Sequence, residues 1–258
     1  MCGRYAITLP PDAMRDLFGY PEQPNFPPRY NVAPTQPVPI IRKEQDGQRH
    51  FQLVRWGLVP DWAKEVGTRP LFNARGETVA EKPAFRSAFR RRRCLIPADG
   101  FYEWKTSPPY AKQPYLIRRN DHAPLAFAGI WEHWQAPDGS ELESCSIITT
   151  EANATLAPIH HRMPVILEEG AWETWLDTTE TLTREAQALI APSPDDMLEA
   201  VPVSRRVNAV ANDDEALMAE VAPAEEPNRE KKSPPKSRGA KSSGPKSKDK
   251  DDGQMSLL

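Results

Sequence analysis

Three short stretches of this chain carry residue types whose spacing suits covalent or proton-transfer chemistry. The first is MCGRYA, where Cys2 directly follows the initiator methionine. A free thiol at a frayed terminus is a liability, so either Cys2 is incidental or the terminus is itself a reagent. Aminopeptidases generally remove Met before a small residue, and Cys2 would then carry an α-amine beside its thiol. The amine titrates at about 7.7–8.0 and a thiol at about 8.5, so both have reactive fractions at neutral pH. The ammonium and nearby Arg4 would favour the thiolate. A 1,2-aminothiol condenses with an aldehyde. The amine forms a Schiff base, and the thiol closes on the same carbon as a thiazolidine. An internal cysteine cannot do this, because its nitrogen is an amide.

The second stretch, LFNARGET (71–78), sets Asn73, Arg75 and Glu77 beside an apolar pair, and IPADGFYEW (96–104) sets Glu103 between two aromatics. On an alternating strand Phe101 and Glu103 share a face. A carboxylate among aromatics has a raised pKa suited to acid–base work, whereas an exposed strand glutamate would be inert. The third, APIHHRMPVIL (157–167), places His160, His161 and Arg162 between a proline and an apolar strand; alone it reads equally as a surface loop. RSAFRRRR (86–93) is a phosphate patch or a solvated helix end, with Arg86 the first choice for contact.

The elements that would position these groups are mostly strands. VPIIR (38–42), FQLVRW (51–56), CLIPA (94–98), PYLIR (114–118), PLAFAGIW (124–131) and SCSIITT (144–150) are apolar runs bounded by Pro, Gly or Asp. Helical patterning is confined to 11–18, 170–176 and 183–191, with Thr183 as a cap. This order predicts an α+β fold with a curved, antiparallel, barrel-like sheet and peripheral helices. The domain is expected over 1–221. From Ala222 the chain loses its aromatic and aliphatic residues, and 222–253 reads as a disordered basic Pro/Ser/Lys tail.

The 258 residues include 28 prolines and three cysteines, Cys2, Cys94 and Cys145. An odd count without CxxC argues against a disulfide framework or a zinc site, so no metal and no cofactor is expected. There is no apolar run long enough to span a membrane and no signal-peptide pattern, so a cytoplasmic protein is expected. Beyond residue 228, nine Lys/Arg face four acids, a net +5 that leaves −8 on residues 1–228. Such a body excludes bulk duplex binding and restricts any anion site to a local patch.

MCGRYA, RYNVAPTQPVPII, WGLVPDWA, LFNARGET, RRCLIPADGFYEWK, IHHRMPVIL and VPVSRRVNAV, in this order over nearly all of residues 1–212, resemble the SOS-response-associated peptidase (SRAP) family. The resemblance implies a DNA-repair protein that shields abasic sites in single-stranded DNA, with Cys2 forming a thiazolidine on the ring-opened sugar. It implies Cys2, Asn73, Glu103 and His160 as the central residues. It further implies Arg4, Pro34, Trp62, Arg75, Thr149 and Arg162 along the DNA path, to which Arg86 is added from the basic run. Two positions depart from the family: His161 stands where Asp is commoner, and Ala63 where some relatives carry a second Trp. The family name says peptidase, and the proteolysis expected here is removal of Met1. A noncovalent single-strand-binding module and an N-terminal-nucleophile peptidase are the alternative classes. A nucleoid-associated monomer is expected.

The chain ends QMSLL (254–258), apolar after a charged tail. It resembles the short peptide by which bacterial repair proteins dock on the DNA sliding clamp. Gln254 would bond the pocket, Met255 fill a minor cavity, and Leu257 with Leu258 anchor it.

Overall fold

Apolar runs with period-two alternation need two faces to cover, and here they curl until the sheet meets itself. A computed structural model describes residues 2–106, 112–178 and 183–222. The expected tail beyond Ala222 and its terminal peptide lie outside the described residues. In chain order the strands are β1 (Tyr5–Ile7), β2 (Arg29–Val32), β3 (Pro37–Lys43), β4 (Arg49–Trp56), β5 (Asn73–Arg75) and β6 (Arg93–Ala98), then β7 (Gly100–Lys105), β8 (Gln113–Arg119), β9 (Leu125–Gln135), β10 (Glu141–Glu151), β11 (Arg162–Pro164) and β12 (Leu198–Pro202). Four helices accompany them: α1 (Pro11–Phe18), α2 (Arg86–Arg91), α3 (Glu169–Leu176) and α4 (Thr183–Ala188).

Strands β10, β4, β3, β6 and β9 pair in that circular order, and β9 returns to β10, closing a barrel. The expected barrel-like α+β fold is therefore present. It is not wholly antiparallel, because β4 meets β10 in parallel at Ser144↔Arg55 and Cys145↔Trp56. Ile40, Trp56, Leu95, Ile96, Phe127, Ile130 and Ile147 are all fully buried and belong to one hydrophobic core that covers the barrel strands.

A second sheet, in the order β12–β8–β7–β1–β2, holds the N-terminal strand. Strand β1 is paired on both edges: Tyr5 opposes Val32 of β2 and Phe101 of β7. The Tyr5 ring meets Trp56 and Phe127 edge-on at 5.2 and 6.0 Å, joining this sheet to the barrel.

The helices seal the ends. α1 starts on Pro11 and stops at Gly19, whose φ of 70° takes the left-handed cap and returns its N–H to the Arg15 carbonyl. Phe18 stacks on Trp172 of α3 at 4.8 Å. The helix expected over 183–191 ends at Ala188. Beyond it, Leu189 and Ile190 bond back three residues, each at 3.2 Å, and the chain tightens out of the α-helical register.

Residues 203–222 clasp the outer face of the second sheet. Val203, Val207 and Leu217 bury against Ala6, Tyr102 and Leu116. The clasp is held by Asn31, fully buried on β2, whose Nδ2 donates to the carbonyls of Val207 (3.3 Å), Ala209 (3.1 Å) and Asn212 (2.7 Å). Losing this amide strands buried carbonyls. Asn31→Ala is expected to lower unfolding free energy by about 2–3 kcal/mol in urea titration. Trypsin should then cut at Arg205 or Arg206 faster than in the wild type; unchanged stability and cleavage would refute the role of Asn31.

Candidate active site

The double pairing of β1 holds Cys2, three residues before Tyr5, in the interior. Its antiparallel register with β7 continues outward, since the Tyr102 N–H donates to the Arg4 carbonyl at 2.9 Å. Two residues beyond the Tyr5↔Phe101 pair, Glu103 falls opposite Gly3, beside Cys2. Cys2 is fully buried and Glu103 is 3% exposed. Across from them, Asn73 at the start of β5 donates its Nδ2 to the Cys2 carbonyl at 2.8 Å.

Strand β10 assembles the remainder. Its C-terminal half carries β5 in parallel (Ile147↔Asn73, Thr149↔Arg75) and β11 antiparallel (Glu151↔Arg162). His160 directly precedes β11, and its ring stacks on His161 with centroids 4.5 Å apart. His160 Nδ1 lies 3.0 Å from the Arg162 amide and 3.1 Å from the Arg162 carbonyl, so the Arg162 main chain holds this ring nitrogen. Between Arg75 and Glu77, Gly76 allows no side chain: a Cβ there would lie 2.2 Å from Ile190 Cγ2.

The titration directions follow from burial. Desolvation, with the nearby Glu103 carboxylate, pushes the Cys2 thiol well up, against the pull of the terminal ammonium. The thiolate expected from the sequence is thus replaced by a protonated thiol. Burial likewise raises Glu103, and the chain's terminal ammonium, to which it hydrogen-bonds, opposes that shift. Burial and the same ammonium lower His160, so at neutral pH it is a neutral imidazole.

Cys2, Asn73, Glu103 and His160 therefore converge on the terminus. The other expected residues divide. Trp62 is 64% exposed. With Asn73, Arg75, Lys82, Pro83 and Phe85 it lines a cavity of about 640 Å³ that leads from the Cys2 carbonyl's partner to the surface. Arg86 is exposed at the start of α2, and Pro34 sits half-buried in the turn between β2 and β3. The basic run 86–93 is split: Arg92 pairs with Glu132 at 3.0 Å, and Arg93 is buried, donating to the Trp175 and Phe89 carbonyls.

Arg4, half-buried, and Arg162, buried, both bond within the protein. Arg4 donates through one nitrogen to Asn31 Oδ1 (2.9 Å) and the Val207 carbonyl (2.8 Å). Arg162, 8% exposed, forms a two-pronged pair with Glu77 (2.5 and 3.0 Å) and also donates to Thr149, itself fully buried. Asn31 and Lys82 were not singled out from the sequence. A motif shows a charge but not the distant carbonyl or carboxylate that claims it. Among the described residues no cluster could hold a metal ion, and no helix is long and apolar enough to cross a membrane.

A family model described as SOS response associated peptidase (SRAP) matches residues 1–210. The chain belongs to the SRAP family. It is 40% identical over 223 residues to abasic site processing protein YoqW of Bacillus subtilis, covering 84% of this chain and 99% of YoqW. It is 36% identical over 257 residues to abasic site processing protein HMCES of Gallus gallus, covering 83% of this chain and 76% of that one. A crystal structure of a protein from Bacteroides thetaiotaomicron superposes with a TM-score of 0.76 at 26% identity, covering 86% of this chain and all of the other. One from Bordetella bronchiseptica gives 0.70 at 27%, covering 79% of this SRAP chain and all of its own.

In this SRAP site the buried carboxyl opposes stability. The folded pKa of Glu103 is raised above its ordinary 4.5. Ionising Glu103 therefore costs stability as pH climbs from the ordinary value through the folded one. Glu103→Gln is expected to melt higher than wild type at pH 7, with the gain disappearing below about pH 4.5. A variant less stable at pH 7 would show that Glu103 is held by compensating charge and is not strained by burial.

Proposed function

We propose that this protein processes abasic sites in DNA by capturing the ring-opened aldehyde of the lesion on Cys2, in single-stranded DNA, as a thiazolidine. The observation that carries the reading is the convergence of Asn73, Glu103 and His160 on a terminus whose next residue is a cysteine. The curated relatives' names support abasic-site processing; the ring chemistry rests on the residues.

Removal of Met1 leaves the α-amine on Cys2. The closed sugar is a hemiacetal, and opening it needs a donor at the ring oxygen. His160, held at Nδ1 by the Arg162 main chain, assists that proton transfer. Glu103, whose carboxyl pKa burial raises, accepts the ammonium proton and returns one as the carbinolamine loses water. The thiol then adds to the same carbon and its proton goes to the Glu103 carboxylate. One aldehyde and one aminothiol give one ring and one water, with no change of oxidation state. Asn73, already on the Cys2 carbonyl, fixes the nucleophile. Arg75, Lys82 and Arg86 supply exposed cations for flanking phosphates, and Trp62 stacks on a neighbouring base for about 1–3 kcal/mol.

A denaturing gel of uracil-containing single strands, with and without uracil excision, tests this directly. A heat-stable shift is expected only with the excised strand. Inserting alanine between Met1 and Cys2 should abolish the stable adduct, and Cys2→Ser should leave only a labile one. A stable shift from the insertion variant would refute the ring.

The last five residues are the proposed tether. Burying Leu257 and Leu258 offers about 3–6 kcal/mol before ordering costs, a micromolar attachment that raises the local concentration of the domain on replicating DNA. A peptide ending QMSLL should bind the purified bacterial sliding clamp, and alanines at both leucines should abolish binding without altering adduct formation. No binding at hundred-micromolar peptide would remove the tether.

A further inference from the structure

The Glu77–Arg162 pair has no part in the chemistry above, yet it is built with care. Glu77 lies on a 3-10 turn (Gly76–Thr78) that follows β5, and Arg162 opens β11, so the pair bridges the two strands that flank the end of β10. Arg162 Nη1 reaches Glu77 Oε1 at 2.5 Å; Nη2 reaches Oε2 at 3.0 Å, the Thr149 carbonyl at 2.6 Å and Thr149 Oγ1 at 3.2 Å. The turn can lie this close only because residue 76 is glycine, since a Cβ would also sit 3.3 Å from the Thr149 carbonyl. Both Nη atoms are thus engaged within the protein, while the buried Nε carries no partner. What Arg162 does present to the site is its backbone: its N–H holds His160 Nδ1 at 3.0 Å, and its carbonyl lies 3.1 Å from the same nitrogen.

We propose that Glu77 is a positioning residue, which clamps the Arg162 guanidinium against β10 so that the Arg162 main chain fixes the orientation and tautomer of His160. The kinetic consequence rests on the capture reaction above; the tautomer does not. Asn73 and His160 sit on opposite sides of β10, and this pair is the strut that keeps their spacing. Glu77→Gln keeps an acceptor for Arg162 while removing the charge, so the fold is expected to survive. Unchanged amide resonances in β3 and β4 check that.

Two measurements on the full chain decide the matter. Nitrogen-15 spectra of the imidazoles, with His160 assigned from His160→Ala, should show one dominant tautomer in wild type and a mixture in Glu77→Gln. Single-turnover adduct formation at saturating abasic single strand should slow about tenfold in Glu77→Gln. Affinity for an undamaged strand should not fall. In a His160→Ala background Glu77→Gln should add no further slowing. An unchanged tautomer overturns the proposal, as does equal slowing without His160 or a loss explained by weaker binding. If wild type forms no adduct, the capture reading fails while the imidazole spectra still decide the role of Glu77.

Discussion

Strand β1 is three residues long, and its pairing on both edges decides where the terminus lies. A chain end is ordinarily where order is lost. Here it is an interior strand, and the residues before it inherit that order. The same ladder brings Glu103 opposite Gly3 without any long-range adjustment, because alternation along β7 sends Phe101 and Glu103 to one face and Tyr102 to the other. Phe101 packs on Phe127 in the core at 5.9 Å, and Tyr102 joins the cluster under the clasp. One strand therefore supplies a core residue, the site's carboxyl and an anchor for the C-terminal segment.

Strand β10 does the complementary work. Its first half closes the barrel between β4 and β9, and its second half leaves the barrel to carry β5 and β11. The groups on those strands are thus tied to a strand that also closes the barrel wall. Burial also sets the protonation states: a neutral thiol, a neutral imidazole and a carboxyl that resists ionisation. In the proposed capture reaction, donors and acceptors for each proton transfer stand beside the reacting terminus.

The long strands and helix α1 were legible because six or more residues of alternation, or a proline start with a glycine stop, make a strong local signal. Strands β1, β2, β5 and β11, of three or four residues, are too short to show a period. The parallel β4–β10 seam was not legible either, since alternation says which face is covered but not which way a partner runs. Cys2, Glu103 and His160 stood out through unusual placement of reactive types. The internal partners of Arg4 and Arg162, Asn31 and Glu77, could not be read from the motifs because they lie 27 and 85 residues away.

The central claim is that amine and thiol of the same residue close on one carbon. The most direct measurement is the mass of the N-terminal tryptic peptide after reaction with an abasic single strand, followed by thiol alkylation. Capture as described expects Cys2–Arg4 carrying the sugar with loss of one water and no alkylated sulfur. A sugar adduct whose Cys2 still takes the alkylating group would contradict it.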